Sequence, residues 1–166
     1  GSTGFGVAKA AAVAAEIAGL DIKKAKVAIH GFGNVGSFTY KYLRDWGAAV
    51  VAIADSSGAI FSENGIDKDC LGCKKIASDE FWKIPADILI PASVTDVINE
   101  KNQNDIKAKI IVEGANIPMK EGVEKELSSR GMLIVPDFVA NAGGVISSYA
   151  EYRGYNPKKM FDLVER

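Results

Sequence analysis

The chain has 166 residues, enough for one domain with a substantial core and too few for two ordinary domains. Hydrophobic residues make up 48% and charged residues 25%, as is typical of a globular protein. The 20 basic and 21 acidic residues give a formal net charge of −1, and no basic block occurs, which argues against a nucleic-acid-binding protein. No apolar run reaches the roughly 18 residues of a membrane span, and no basic-then-apolar leader opens the sequence, so we expect a cytoplasmic protein without membrane contact.

Short runs rich in Val and Ile alternate along the chain with longer segments of helical periodicity. This alternation predicts a mostly parallel sheet with helices on both faces, the doubly wound α/β fold of Rossmann type, as a single domain over residues 1–166. Each predicted strand is about five residues long and is bounded by Gly, Pro or Asp. The five predicted strands are residues 26–30, 49–54, 87–91, 109–113 and 132–136.

Helical segments are predicted between these strands. The longer ones are residues 3–19, 34–46, 119–130 and 140–152, and glycine ends or follows the first three. Shorter helices are predicted over residues 67–76, 95–99 and 102–106. The segment 56–64, SSGAIFSEN, predicts a small surface hairpin, because two turn signals flank a short apolar run.

A glycine-rich loop connects the first predicted strand to the second long helix. The sequence VAIHGFGNVG has the pattern G-x-G-x-x-G directly after a strand and before a helix. The first glycine permits a sharp turn, the second permits close approach of a pyrophosphate, and the third permits close packing of the helix on the sheet. A pyrophosphate at such a loop is bound by the N–H groups at the helix N-terminus. The candidate dinucleotide-binding residues of the loop are Gly31, Phe32, Gly33, Asn34, Val35 and Gly36.

Asp55 follows the second predicted strand, 19 residues after Gly36. A carboxylate at this position accepts hydrogen bonds from the adenosine ribose hydroxyls. It also repels a 2′-phosphate, so the residue favours NAD over NADP.

Two asparagines lie at the carboxyl ends of the last two strands, where ligands bind in doubly wound sheets. Asn116 and Asn141 offer both donors and acceptors, which suit a carboxamide or a ribose hydroxyl. Asn141 also fits the start of a helix as a capping residue, and capping is compatible with ligand contact. His30, the only histidine, precedes the loop and is interpreted as structural or incidental.

Cys70 and Cys73 are the only cysteines and have the spacing C-x-x-C. A zinc site requires four ligands, and the sequence contains no second cysteine pair and a single histidine. The pair also does not follow the first strand, as a thioredoxin-like redox pair does. We therefore expect no metal site and interpret the two cysteines as small side chains in a surface segment.

The order of several segments resembles one family. These are STGFGV, VAIHGFGNVG, ADSSGAIF, DILIPAS, IIVEGANIP and VPDFVANAGGVISSYAE. Together they resemble the cofactor-binding domain of glutamate dehydrogenases, within the wider family of glutamate, leucine, phenylalanine and valine dehydrogenases. The resemblance covers nearly the whole chain, and EGAN followed by PDFxANAGGV is its most specific part.

The resemblance implies a role for individual residues. Dinucleotide contacts are implied for Thr3 at the nicotinamide carboxamide, Phe32, Gly33, Asn34 and Val35 at the pyrophosphate, Asp55 and Ser56 at the adenosine ribose, Ala92 and Ser93 along the channel, Asn116 at the nicotinamide ribose, and Asn141 at the nicotinamide end. Substrate contacts are implied for Val145 and Ser148, the serine near the side-chain carboxylate of the substrate.

The resemblance further implies a parent enzyme that converts L-glutamate to 2-oxoglutarate and ammonia while hydride passes to NAD or NADP. Members with an aspartate at the position of Asp55 include some that accept NADP, so NADP stays possible. The catalytic residues and most hexamer contacts of the family lie in an N-terminal domain that this chain lacks, so no catalytic residue is expected here and the chain alone should be inactive. Another amino-acid dehydrogenase, or a non-enzymatic dinucleotide-binding module, remains an alternative.

Overall fold

The computed structural model describes residues 1–142 and 156–166. Seven strands form one sheet in the order β4-β3-β2-β1-β5-β6-β7. The strands are β1 Lys26–His30, β2 Ala49–Asp55, β3 Gly58–Phe61, β4 Lys74–Ile76, β5 Ile88–Pro91, β6 Ile110–Val112 and β7 Leu133–Val135. The five predicted strands correspond to β1, β2, β5, β6 and β7, and every pairing among these five is parallel.

The described helices cover the sheet. They are α1 Ser2–Ile17, α2 Asn34–Asp45, α3 Glu121–Ser129, α4 Asp137–Ala140 and α5 Pro157–Glu165. Short 3-10 helices occur at Ile22–Lys24, Glu80–Lys83 and Gln103–Asp105. Within the ranges that the structure describes, no helix combines the length and apolar character that crossing a membrane requires.

The alternation of side chains along β1 places a hydrophobic core on each face of the sheet. Val27 and Ile29 belong to the core that contains Leu43 of α2 and the alanine face of α1. Ala28 belongs to the opposite core, together with Phe81 and Leu127 of α3. Both faces of the parallel strands are therefore buried, which confirms the predicted doubly wound α/β architecture.

The order in which strands are added to the sheet reverses direction at β1. The chain proceeds from β1 to β2 on one side, and β5 pairs with the other side of β1. This arrangement creates a topological switch point at the carboxyl ends of β1 and β5, where doubly wound sheets bind their ligands. The glycine-rich loop leaves β1 at this point.

The edge of the sheet beyond β2 differs from the prediction. Segment 56–64 is not a separate surface hairpin: it contributes β3, which pairs antiparallel with β2 of the main sheet. The predicted helix over residues 67–76 is wrong, because Cys70 and Gly72 have positive φ angles of 49° and 80° and Lys74–Ile76 pairs with β3. Pairing with an exposed strand edge therefore overrides the helical pattern.

Three other predicted helices also need correction. Residues 95–99 form turns, because Asp96 has a φ of 56° and breaks any helical run. The segment 102–106 is helical only as the 3-10 turn Gln103–Asp105. The predicted start of a helix at residue 140 is wrong: α4 begins at Asp137, ends at Ala140 and has Asn141 as its C-cap. The remainder of that prediction lies outside the described residues.

Cys70 and Cys73 are joined by a disulfide bond. Their interpretation as two separate small side chains is therefore wrong. Both cysteines pack against the core that contains Leu43, so the bonded pair anchors the 67–73 loop to the domain.

Candidate functional site

Two glycines of the loop are required by the fold itself. Gly31 has a φ of +101°, and a Cβ on it would lie 2.7 Å from the backbone of Ala92 and Ser93 after β5. A Cβ on Gly36, in the first turn of α2, would overlap the carbonyl oxygen of Gly31. The carboxyl ends of β1 and β5 and the start of α2 thus touch through backbone atoms, which brings the loop onto the switch point.

Gly33 is different, because a Cβ on it would meet no atom of residues 1–142 or 156–166 within 4 Å. Its φ of −79° also requires no glycine. Gly33 is the N-cap of α2, and no side chain of the described residues caps this helix. Open space thus faces the uncapped amide groups of the first turn, an arrangement that suits an anion such as a pyrophosphate.

The first cleft, which we call the β5–β6 cleft, lies at the carboxyl ends of β5 and β6 and has a volume of about 770 Å³. It brings together six residues that the sequence singles out. These are Thr3, Val35, Ala92, Ser93, Asn116 and Asn141. They come from α1, α2, the ends of β5 and β6 and the end of α4, so only the folded domain places them side by side.

The second cleft, which we call the β2–β4 cleft, lies between α2 and the strands β2, β3 and β4 and has a volume of about 610 Å³. Phe32 and Asp55 of the predicted site line it, together with Ser57 and the two lysines Lys68 and Lys75. The glycine-rich loop borders both clefts: Val35 lines the β5–β6 cleft, and Phe32 lines the β2–β4 cleft. A ligand with two halves joined by a pyrophosphate fits this division.

Asp55 is held by the turn that follows β2. Its Oδ1 accepts hydrogen bonds from the backbone N–H of Ser57 at 2.7 Å and from the Ser57 hydroxyl at 2.6 Å. These bonds stabilise the charged form and lower the pKa of the carboxyl group. Asp55 is therefore a fixed, ionised carboxylate at the end of β2. Ser56, also predicted as a ribose contact, lines neither cleft.

The ends of β6 and β7 are joined by side-chain hydrogen bonds. Asn141 Nδ2 donates to Asn116 Oδ1 at 3.0 Å, so the two predicted asparagines contact each other directly. Behind them, the Asp137 N–H donates to Glu113 Oε2 at 2.8 Å, and the Ile117 N–H donates to Asp137 Oδ2 at 2.7 Å. The two acidic side chains therefore fix the loops that carry the asparagines.

Glu113 is a deeply buried carboxyl group at this end of the sheet, with 3% of its surface exposed. Its Oε1 is buried and has no hydrogen-bond partner among the residues that the structure describes. Burial raises the pKa of Glu113 to about 7. The hydrogen bond from the Asp137 backbone lowers this pKa, and the negative charges of the Glu124 and Asp137 side chains raise it.

His30 contacts the site from behind the glycine-rich loop. Its Nδ1 and the Ser93 hydroxyl are hydrogen-bonded at 2.8 Å. The imidazole stacks on Trp82 with a centroid distance of 4.7 Å and an interplanar angle of 18°, and it meets Phe81 edge-on. Burial lowers the pKa of His30, which favours the neutral ring.

Sequence reasoning missed three of these side chains. Glu113 directly follows the run IIV, and Asp137 follows LIV with one proline between, so their position at strand ends was the available signal. His30 was noted but was assigned no partner, because the proximity of residue 93 depends on pairing between β1 and β5. Val145 and Ser148 lie outside the described residues.

A family model described as Glutamate/Leucine/Phenylalanine/Valine dehydrogenase matches residues 1–75 and 71–162. Among curated proteins, the chain is 44% identical to a glutamate dehydrogenase of Aeropyrum pernix over 91% of its length. It is 42% identical to an NADP-specific glutamate dehydrogenase of Saccharolobus shibatae and to NAD-specific glutamate dehydrogenases of Staphylococcus aureus, again over 91% of the chain. The chain spans about 40% of the length of these relatives.

Solved structures show the same fold. The glutamate dehydrogenase of Peptoniphilus asaccharolyticus is 35% identical, with a TM-score of 0.80, and the match covers 99% of this chain and 43% of that one. The hetero-hexameric glutamate dehydrogenase of Thermus thermophilus matches with a TM-score of 0.87 at 25% identity, over 99% of this chain and 43% of that one.

Proposed function

Since the chain belongs to the glutamate/leucine/phenylalanine/valine dehydrogenase family, we propose that it is the NAD(P)-binding domain of a glutamate dehydrogenase. One observation carries the proposal: an uncapped helix N-terminus with open space at Gly33 lies between two clefts lined by the predicted nicotinamide and adenosine contacts. The identity of 42–44% to curated glutamate dehydrogenases supports glutamate rather than leucine, phenylalanine or valine as the substrate of the parent.

The pyrophosphate lies over Gly33 and accepts hydrogen bonds from the first amide groups of α2. The adenosine half lies on the side of Asp55, whose carboxylate accepts hydrogen bonds from ribose hydroxyls. The nicotinamide half occupies the β5–β6 cleft, where Asn116 contacts its ribose and Asn141 and Thr3 contact the carboxamide. When bound, the nicotinamide ring accepts a hydride, and the residues of this chain bind and orient it.

The parent enzyme converts L-glutamate to 2-oxoglutarate and ammonia. Because the chain spans about 40% of the curated relatives, we propose that the acid–base residues and most of the substrate pocket belong to another part of the parent, which assembles as a hexamer. In this proposal Val145 and Ser148 supply substrate contacts from this domain. The chain alone binds the dinucleotide without turning over glutamate.

The charges at the β2–β4 cleft support NAD as the preferred cofactor, with NADP accepted more weakly. The fixed carboxylate of Asp55 attracts ribose hydroxyls and repels a 2′-phosphate. Lys68 and Lys75 line the same cleft and reduce that repulsion, so the preference is moderate rather than absolute.

Fluorescence titration of the 166-residue chain with NADH and with NADPH tests the proposal, with Trp46 and Trp82 as reporters. We expect saturable binding of both, with the lower dissociation constant for NADH, and no oxidation of glutamate. Absence of binding to either dinucleotide would reject the domain assignment. Substantial glutamate oxidation by the chain alone would show that it carries the acid–base residues itself.

Adding the remaining part of the parent separates an enzyme domain from a non-enzymatic binding module. Recovered glutamate oxidation supports the enzyme domain. Assaying the complete parent with glutamate, leucine, phenylalanine and valine then identifies the substrate.

A further inference from the structure

His30 connects the aromatic core to the β5–β6 cleft without lining either cleft itself. One side of its ring stacks on Trp82, which is 9% exposed, and Phe81 packs edge-on against it. The ring is therefore fixed in the plane that points Nδ1 at the Ser93 hydroxyl, 2.8 Å away. Ser93 in turn lines the β5–β6 cleft.

The backbone around this pair is equally constrained. The Ala92 N–H donates to the His30 carbonyl at 2.7 Å, and His30 pairs with Pro91 in the sheet. Gly31 leaves no room for a side chain between the two strand ends. The Ser93 hydroxyl lies on a rotatable side chain, and its bond to the imidazole restricts that rotation.

We propose that His30 is a positioning residue that fixes the Ser93 hydroxyl for contact with the bound dinucleotide. A serine hydroxyl has one donor and two acceptor sites, so a bond to His30 commits one of them and orients the others. A group that is already oriented loses less conformational freedom when the ligand binds. The inference rests on the proposed dinucleotide binding, which it deepens by adding a residue that does not touch the ligand.

The two roles of His30, hydrogen bonding and ring packing, can be separated by substitution. His30→Phe keeps an aromatic ring against Trp82 and cannot bond to Ser93. His30→Gln keeps a polar group that can bond to Ser93 and loses the stack. If His30 positions Ser93, His30→Phe loses mainly NADH affinity and His30→Gln loses mainly stability. If His30 has only a structural role, the variant that loses more stability also loses more affinity.

Each variant is titrated with NADH and melted in parallel. We expect His30→Phe to bind NADH about fivefold more weakly, because the Ser93 hydroxyl must then be oriented on binding. We expect its melting temperature to fall less than that of His30→Gln, because the aromatic packing on Trp82 is kept. We expect His30→Gln to bind within about twofold of the wild type and to melt at a lower temperature. Wild-type affinity in His30→Phe, or a loss in His30→Gln as large as in His30→Phe, overturns the proposal.

Ser93→Ala completes a double-mutant cycle with His30→Phe. It also tests the role of the Ser93 hydroxyl by itself in case His30→Phe does not fold. Ser93→Ala is expected to weaken NADH binding by about the same factor as His30→Phe, and the double variant is expected to lose no more. Undiminished affinity in Ser93→Ala, or losses that multiply in the double variant, overturns the inference while leaving the proposed function intact. Failure of the wild-type chain to bind NADH overturns the proposed function and this inference with it.

Discussion

The buried carboxyl group of Glu113 and the backbone of Asp137 hold the last two parallel strands together beyond the point where the sheet ends. Glu113 Oε2 accepts the Asp137 N–H at 2.8 Å, while the Glu113 N–H continues the ladder to the Val135 carbonyl at 3.0 Å. The second carboxylate oxygen, Oε1, is shielded from solvent and finds no hydrogen-bond partner in the described part of the chain. This contact stabilises the segments that carry Asn116 and Asn141, and it places a carboxyl group where the charged form is disfavoured.

The first prediction concerns the pH dependence of stability. The pKa of Glu113 in the folded chain is about 7, against an ordinary value of 4.5. Between these values the folded chain holds a proton that the unfolded chain has released, so the free energy of unfolding falls as the pH rises from about 4.5 to 7 and slightly beyond. The expected decrease in the free energy of unfolding is about 3 kcal/mol, because one pKa unit corresponds to about 1.4 kcal/mol. A variant without this carboxyl group should not show the decrease.

Urea denaturation of Glu113→Gln and of the wild type at pH 5 and pH 8 measures this effect. Glutamine retains an oxygen that can accept the Asp137 N–H and does not titrate. Glu100→Gln, at an exposed position, is the matched control and should follow the wild type. Parallel pH dependence in the wild type and Glu113→Gln would show that Glu113 is ionised throughout the range.

The second prediction separates the glycines of the loop. Gly33→Ala should fold with nearly wild-type stability, because its Cβ meets no atom of the described residues within 4 Å. It should bind NADH more than tenfold more weakly, because the Cβ enters the space proposed for the pyrophosphate. Gly36→Ala should fail to fold or be strongly destabilised, because its Cβ would overlap the Gly31 carbonyl. Circular dichroism and NADH titration give both readouts. Undiminished NADH binding by Gly33→Ala would place the pyrophosphate elsewhere.

The sequence alone predicts the elements that have a local pattern and misses those that depend on distant contacts. Hydrophobic runs and glycine punctuation predicted all five parallel strands and the loop, because burial on both faces leaves a strong local pattern. β4 and the bonded cysteines were not predicted, since both depend on contact with residues distant in sequence: Lys74–Ile76 becomes a strand only beside β3. Residues Glu113 and His30 were likewise missed as site components because their partners come from neighbouring strands.

The third prediction concerns cofactor preference. Asp55→Ala should reduce the ratio of NADPH to NADH dissociation constants by about tenfold, since a charge-assisted hydrogen bond to the ribose is lost and the repulsion of a 2′-phosphate is relieved. Asp67→Ala removes an equal charge from the same cleft and should leave the ratio near the wild-type value. Equal changes in both variants would mean that the net charge of the cleft, and not Asp55, sets the preference.

The fourth prediction assigns the β5–β6 cleft to the nicotinamide half. Asn116→Ala should weaken NADH binding by about three- to tenfold through the loss of one or two net hydrogen bonds, and it should leave the affinity for AMP unchanged. Asp55→Ala, on the side of the β2–β4 cleft, should weaken AMP and NADH together. Competition titrations with AMP measure both. A loss of AMP affinity in Asn116→Ala would contradict the division of the ligand between the two clefts.

The fifth prediction concerns the disulfide between Cys70 and Cys73, which closes a short loop at the wall of the β2–β4 cleft. A cross-link over so few residues stabilises the folded state by about 2 kcal/mol through the restriction of the unfolded chain. Reduction should therefore lower the melting temperature by about 4–8 °C in a domain of this size. The double variant Cys70→Ser/Cys73→Ser should melt at the lower temperature and should not respond to dithiothreitol. Thiol titration of the unreduced chain under denaturing conditions should find no free thiol, and two reactive thiols per chain would show that the bond does not form.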